Sequence, residues 1–133
     1  MVLRYGTRQG EGLMIIVYDS MLGIEVELEG SVKETPKKIN YSEITTIRGS
    51  VFSESSRGVI NLSLTIDYIT EEDYYRLTDI FLYGNNSLLI EDLDTGRTYK
   101  NYFIQGESLS LDRMVDYDSK TYYYKGGLNI FKR

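Results

Sequence analysis

The sequence predicts a mainly β protein with one α-helix (α+β), built as a two-layer antiparallel β-sandwich or partly closed barrel flanked by that helix. Three observations carry the prediction. From Val59 to Ile69, Ile60, Leu62, Leu64, Ile66 and Tyr68 occupy one parity while Asn61, Ser63, Thr65 and Asp67 occupy the other, the period of a half-buried strand. Only the stretch Thr70 to Gly84 has helical spacing, with Tyr74, Leu77 and Phe81 on one face beside Ile80. The remaining apolar runs are short and bounded by turn residues, which gives the order strands, helix, strands.

Taken in order, residues 1–12 (MVLRYGTRQGEG) are polar and glycine-rich without period and read as a flexible N-terminal arm; residues 13–133 read as a single β-rich domain. Leu13 to Tyr18 is an apolar run of strand length ended by Asp19-Ser20. Ile24, Val26 and Leu28 then alternate with Glu25, Glu27 and Glu29, which puts three carboxylates on one face of a strand, expected to be wet. KETPKK contains the sole proline, Pro36, among Lys33, Lys37 and Lys38, and reads as a basic loop. Ile44 to Phe52 is rich in β-branched residues and reads as a strand, Ser53 to Gly58 as a polar turn, and the pair Ile44–Phe52 and Val59–Ile69 as a hairpin.

The helix is expected near 70–83. Thr70 can cap it, Asp73 can answer three residues on, and Gly84 followed by Asn85-Asn86 stops it. Ser87–Ile90 and Thr98–Gln105 form the next hairpin around Asp94-Thr95-Gly96, with Tyr102 and Ile104 on one face. Leu109 and Leu111 mark a short strand, Arg113 to Ser119 a charged loop, and Thr121 to Phe131 a last strand with Tyr122, Tyr124, Leu128 and Ile130 on one face.

Composition narrows the chemistry. The 133 residues suit one core, and with no Cys and no His the chain has no thiol nucleophile, imidazole base, Ser-His-Asp triad or zinc finger to offer. No metal or cofactor is expected. The 15 Lys and Arg against 20 Asp and Glu leave a net charge of −5, which disfavours general binding of nucleic acid. There is no apolar run of bilayer length and no apolar leader, so the reading is a soluble protein made in the cytoplasm, without membrane insertion. Tyr is abundant at 13 residues, ten of them between Tyr68 and Tyr124, which suits half-buried strands and contact surfaces.

Five groups of residues invite functional readings. Asp94-Thr95-Gly96 is the tripeptide of aspartic proteases, but Arg97 follows it, Glu91 and Asp92 crowd it, and a hairpin turn with Gly96 at positive φ explains it as well. Asp112, Asp116 and Asp118 could hold calcium, yet the Gly and terminal Glu of an EF-hand are missing and a solvated loop suffices. Glu25, Glu27 and Glu29 are either a solvated face or an acidic channel lining past which a polyanion slides. Lys33, Lys37 and Lys38 are either ordinary surface or a docking element for acid on a neighbouring copy. Tyr122-Tyr123-Tyr124 places aromatics on both strand faces, which suits a subunit interface or a surface that stacks sugars.

The stretch TIRGSVFSESSRGVINLSLTIDYITEEDYYRLTDIFLYG, followed by LLIEDLDTGRTYKNYFIQGESLSL and TYYYKGGLNIFKR, resembles the tail-tube-like domain shared by tube and distal tail (baseplate) proteins of long-tailed bacteriophages. The likeness spans roughly Ile44 to Arg133 and lies in element order and texture. It implies a β-sandwich with one flanking helix, assembled with copies of itself as hexameric rings around a DNA channel and with other tail and baseplate proteins, in the virion. Under it, Val59–Ile69 is a strand of the inner hairpin, and the arm and the loop around Pro36 reach neighbouring subunits. The second domain of many distal tail proteins is not matched, which leaves tube, terminator and accessory baseplate ring open. The rival from another class is a carbohydrate or host-surface binding module using exposed Tyr; an aspartic protease-like enzyme is the third.

Overall fold

The computed structural model describes residues 14–39, 42–45, 51–54 and 57–133. Within them the order is β1 (Met14–Asp19), β2 (Ile24–Ile39), β3 (Ser42–Thr45), β4 (Val51–Glu54), β5 (Arg57–Thr70), α1 (Glu71–Tyr83), β6 (Leu88–Asp92), β7 (Arg97–Ile104), β8 (Leu111–Asp116) and β9 (Thr121–Lys132). A seven-stranded antiparallel sheet runs β5-β2-β1-β6-β7-β9-β8, and β5 also pairs with β9, so the pairing is ring-like. The predicted mainly β fold with one helix is the fold observed. The predicted arm over residues 1–12 lies outside the described residues.

β1 buries Met14, Ile15 and Val17 and stops at Asp19, whose carbonyl accepts from the N–H of Gly23 at 2.8 Å to close a turn that needs Gly23 at φ +69°. β2 then returns along β1 with Val26 and Leu28 inside. At Glu29/Gly30 its register shifts and β2 continues beyond β1 against β5 alone, Gly30 opposite Ile66 and Ile39 opposite Arg57. A Cβ on Gly30 would lie 1.8 Å from the carbonyl oxygen of Thr65, so the crossing requires glycine.

This extension corrects the expected basic loop. Lys33, Lys37 and Lys38 are residues of β2, and Pro36 pairs with Ile60. With β1 left behind, β2 is an edge strand here among the described residues, one of the few sheet positions that tolerate a missing N–H. The expected hairpin of Ile44–Phe52 with Val59–Ile69 is also replaced. Ser42–Thr45 pairs with Val51–Glu54 in a separate ribbon, while β5 takes β2 and β9 as partners. The apolar run contains Gly49-Ser50, a turn signature that its β-branched neighbours mask in the sequence. Of the turn expected over Ser53–Gly58, both ends belong to β4 and β5.

Along β5, Leu62, Leu64 and Ile66 are buried as expected, but Ile60 is exposed beyond the core and a register shift between Ile66 and Ile69 turns Ile69 inward in place of Tyr68. Helix α1 follows without a gap. Thr70 Oγ1 accepts from the Asp73 N–H at 3.2 Å and the acids of the first turn meet the positive end of the helix dipole. Leu77 and Ile80 enter the core, and Tyr74 stacks on Tyr124 at 3.8 Å between ring centroids. Gly84 ends the helix by donating its N–H to Ile80, and Asn85 takes the left-handed φ of 68° while its side-chain amide bonds both backbone groups of Ile104.

The turn from β6 to β7 passes through Gly96 at φ +76°, as predicted, and Tyr102 and Ile104 of β7 are buried. β8 is longer than expected: Arg113 to Asp116 pair with β9, and only residues 117–120 form the turn. On β9, Tyr124, Leu128 and Ile130 are buried whereas Tyr122 lies past the end of the core. The core is one cluster in which Ile15, Leu28, Leu64, Ile90 and Ile130 of the sheet meet Leu77 and Ile80 of α1.

Candidate assembly surfaces

The Glu row does not form one wet face. Glu25 is exposed and Glu27 half-buried, but Glu29 is 2% exposed, because β2 changes register there and β5 closes over it. Glu25 and Glu27 border an open groove of about 550 Å³ between the start of β2 and the first turns of α1. Arg76 stands on the opposite wall, holding Asp73 at 3.0 Å and Glu72 at 3.3 Å. The groove is therefore acidic but partly neutralised.

The three lysines do not share a face either. Side chains alternate along β2, so Lys33 and Lys37 project on one side and Lys38 on the other, spread over about 16 Å of strand. Lys37, Lys38 and Lys132 border a groove of about 290 Å³ whose apolar wall is Val59, Phe103 and Phe131. The two Phe rings meet edge to face at 6.2 Å, and the Arg133 guanidinium lies 4.5 Å above Phe103. Both Phe occupy the parity opposite to the buried Tyr102, Ile104 and Ile130, an apolar pair on the wet side of two strands. That parity is the signal in the sequence that marks this surface, and it belongs to no short motif.

The Tyr run is divided among three roles. Tyr124 is buried against Tyr74, Tyr123 stacks on Tyr68 at 4.8 Å, and Tyr122 is exposed with the Arg113 guanidinium 4.7 Å from its ring centre. Burial raises the Tyr124 hydroxyl pKa above its ordinary value. Tyr68 and Tyr122, with Glu71 and Lys120, border an open groove of about 420 Å³.

Across the open end of the ring, Glu34 of β2 accepts from the Tyr99 hydroxyl at 2.6 Å and from Arg97 at 2.8 Å. The Tyr99 hydroxyl is pushed up to about 12, by burial first and by the Glu34 carboxylate second; the same hydrogen bond lowers Glu34 below the usual carboxylate range. Tyr102 makes a parallel link, donating to the carbonyl of Ile60 at 2.7 Å. These bonds tie the β2–β5 extension to β7.

Asp94 lies exposed in the β6–β7 turn, where its N–H bonds Asp92 Oδ1 at 3.1 Å. Asp116 spends one carboxylate oxygen on the N–H groups of Asp118 and Ser119 in the β8–β9 turn. Among the described residues no group of His, Cys, Asp or Glu is placed to hold a metal ion, and no helix is long and apolar enough to cross a membrane. Neither a scan against protein-family models nor a search of curated proteins finds a match to this chain.

Proposed function

We propose that the protein is a structural component of a long-tailed phage tail, a tube, distal tail or baseplate ring, that acts in the virion by assembling with copies of itself around a channel for DNA. The observation that carries this reading is the architecture itself: an antiparallel sheet paired into a ring, one helix docked on it in the order strands, helix, strands, and a two-stranded extension of β2 and β5 reaching past the core. Large apolar side chains left in solvent, among them Tyr83 at 70%, give such a protein material for contacts between subunits. Of the acidic row Glu25 and Glu27 reach the surface, and a net charge of −5 lets phosphate pass without capture. Light scattering across a concentration series, with negative-stain images of the same sample, tests the reading. Rings or multiples of the chain mass support it, and a monomer at all concentrations, alone and with tail lysate, refutes it.

The groove beside Tyr122 favours a second reading, a surface that stacks sugar on Tyr68 or Tyr122 with Glu71 and Lys120 as polar partners. Glycan-array binding lost in Tyr122→Ala would support it, and an array without signal would remove it.

A further inference from the structure

The outward side of α1 carries Glu72, Arg76 and Asp79 but turns apolar towards its end. Tyr75, Leu82 and Tyr83 are 56%, 59% and 70% exposed, at helical spacing around exposed Asp79. The patch continues onto the β1–β2 turn. Met21, 54% exposed, takes a hydrogen bond from Asn86 at 3.8 Å, and Leu22 packs beside Gly84. The last turn of α1 has no basic residue, and the cation that meets its negative end is Arg133, whose guanidinium donates to the carbonyls of Asn85 and Asn86.

The opposite character is found on the groove of Phe103, Phe131 and Val59. Three lysines border it and no carboxylate does. Its volume of about 290 Å³ is at the lower end for pockets that hold small ligands, which suits bulky side chains entering from a protein surface. The two patches share no residue. Each is apolar in the middle, and their charges are of opposite sign.

Building on the assembly reading above, we propose that the α1 face of one copy, centred on Asp79, Leu82 and Tyr83, docks into the Phe103–Phe131 groove of a second copy, with Lys37, which shares the face of Val59, opposite Asp79. Because the contact joins two different patches it is heterologous, and every bound copy leaves one free patch of each kind. Such a contact propagates until it closes into a ring or runs on as a filament. Burying aromatic and leucine side chains in the centre with charges at the rim is the usual distribution at a protein interface.

The test uses the full chain in two disabled forms. One carries Asp79→Lys with Tyr83→Ser, the other Lys37→Glu with Lys38→Glu; all four positions are exposed, and a Leu82→Ser form is the second helix-face variant. Thermal melts followed by circular dichroism check that each is folded. Each form alone is expected to associate at least about tenfold more weakly than the unmodified chain. Mixed in equal amounts, they are expected to give a one-to-one pair and nothing larger, since each keeps only one working patch. Unaltered assembly by both forms would overturn this docking while leaving the assembly reading in place. Loss of assembly without pairing in the mixture overturns it as well, and an unmodified chain that stays monomeric both alone and with tail lysate overturns both.

Discussion

Replacing Asp19 removes the tie between the first turn of the sheet and the end of the helix. Its carboxylate is fully buried, with Oδ1 accepting from the N–H groups of Met21 at 2.9 Å and Leu22 at 3.4 Å, and Oδ2 accepting from the N–H of Asn85 at 3.0 Å. Two of these bonds have good length and each is charge-assisted, so losing both acceptors in Asp19→Ala is expected to cost roughly 3–5 kcal/mol. That is a large part of the ~5–15 kcal/mol typical of a whole domain. Gly84 is the second half of the device: a Cβ there would lie 1.8 Å from Asp19 Oδ2 and 3.1 Å from Leu22 Cδ1. A side chain at this position therefore collides with the carboxylate that ties the turn to the helix. Gly84→Ala alone should cost about 2–4 kcal/mol by displacing the carboxylate, but only about 1 kcal/mol once Asp19 is already Ala, because the flexible Leu22 can then move aside. The pair should thus show a coupling of about 1–3 kcal/mol in a double-mutant cycle. Urea unfolding followed by circular dichroism measures all four corners, and Asp19→Ala should melt roughly 10–20 °C below the unmodified chain. A cost under 1 kcal/mol for Asp19→Ala, or strict additivity of the two changes, would refute the reasoning.

Three further outcomes are expected. Gly30→Ala should prevent stable folding, since its Cβ meets backbone at Thr65, while Gly96→Ala, with nothing within 4 Å and only a positive φ to accommodate, should cost about 1 kcal/mol; equal melting temperatures would contradict this. Leu77→Ala empties a fully buried site where α1 meets the sheet and should cost about 2–5 kcal/mol in the same urea assay, with a small loss ruling out helix docking as described. Glu34 has a lowered pKa, so its contribution to stability is complete above the ordinary value of 4.5 and is lost as pH falls through the lowered value; Tyr99, raised to about 12, contributes fully below 10 and loses that contribution as pH climbs towards 12. Melting temperature against pH should show the acid slope flattened in Glu34→Gln and the alkaline slope flattened in Tyr99→Phe, and profiles parallel to the unmodified chain would negate the network.

What was legible in the sequence were the features fixed by neighbours within a few positions. Thr70 and Asp73 announce the helix start, Gly84 its end, and the parity of Leu62, Leu64 and Ile66 a strand face. The misreadings share a different cause. Glu29 and Tyr68, which pair with each other, both sit where a strand changes register, and one shifted residue exchanges the inner and outer faces without any mark in the composition. Lys33 to Lys38 look like a loop because proline and charge are signs of one, yet an edge strand accepts both. The Phe103–Phe131 surface needs residues from β5, β7 and β9 together, and no window along the chain contains them.

The pairing of β9 has a consequence for how the chain acquires its shape during synthesis. β9 bonds β5, β7 and β8, and it follows every other strand in the sequence. Until its residues leave the ribosome, β5 and β7 each hold an unsatisfied edge, and the ring is a curved open sheet able to add a foreign strand. Closure joins segments as distant as Leu62 and Ile130, a loop of high contact order that forms slowly. The nascent protein is thus most exposed to mispairing with its siblings in the interval just before its own circuit is completed, when many copies on one message stand close together.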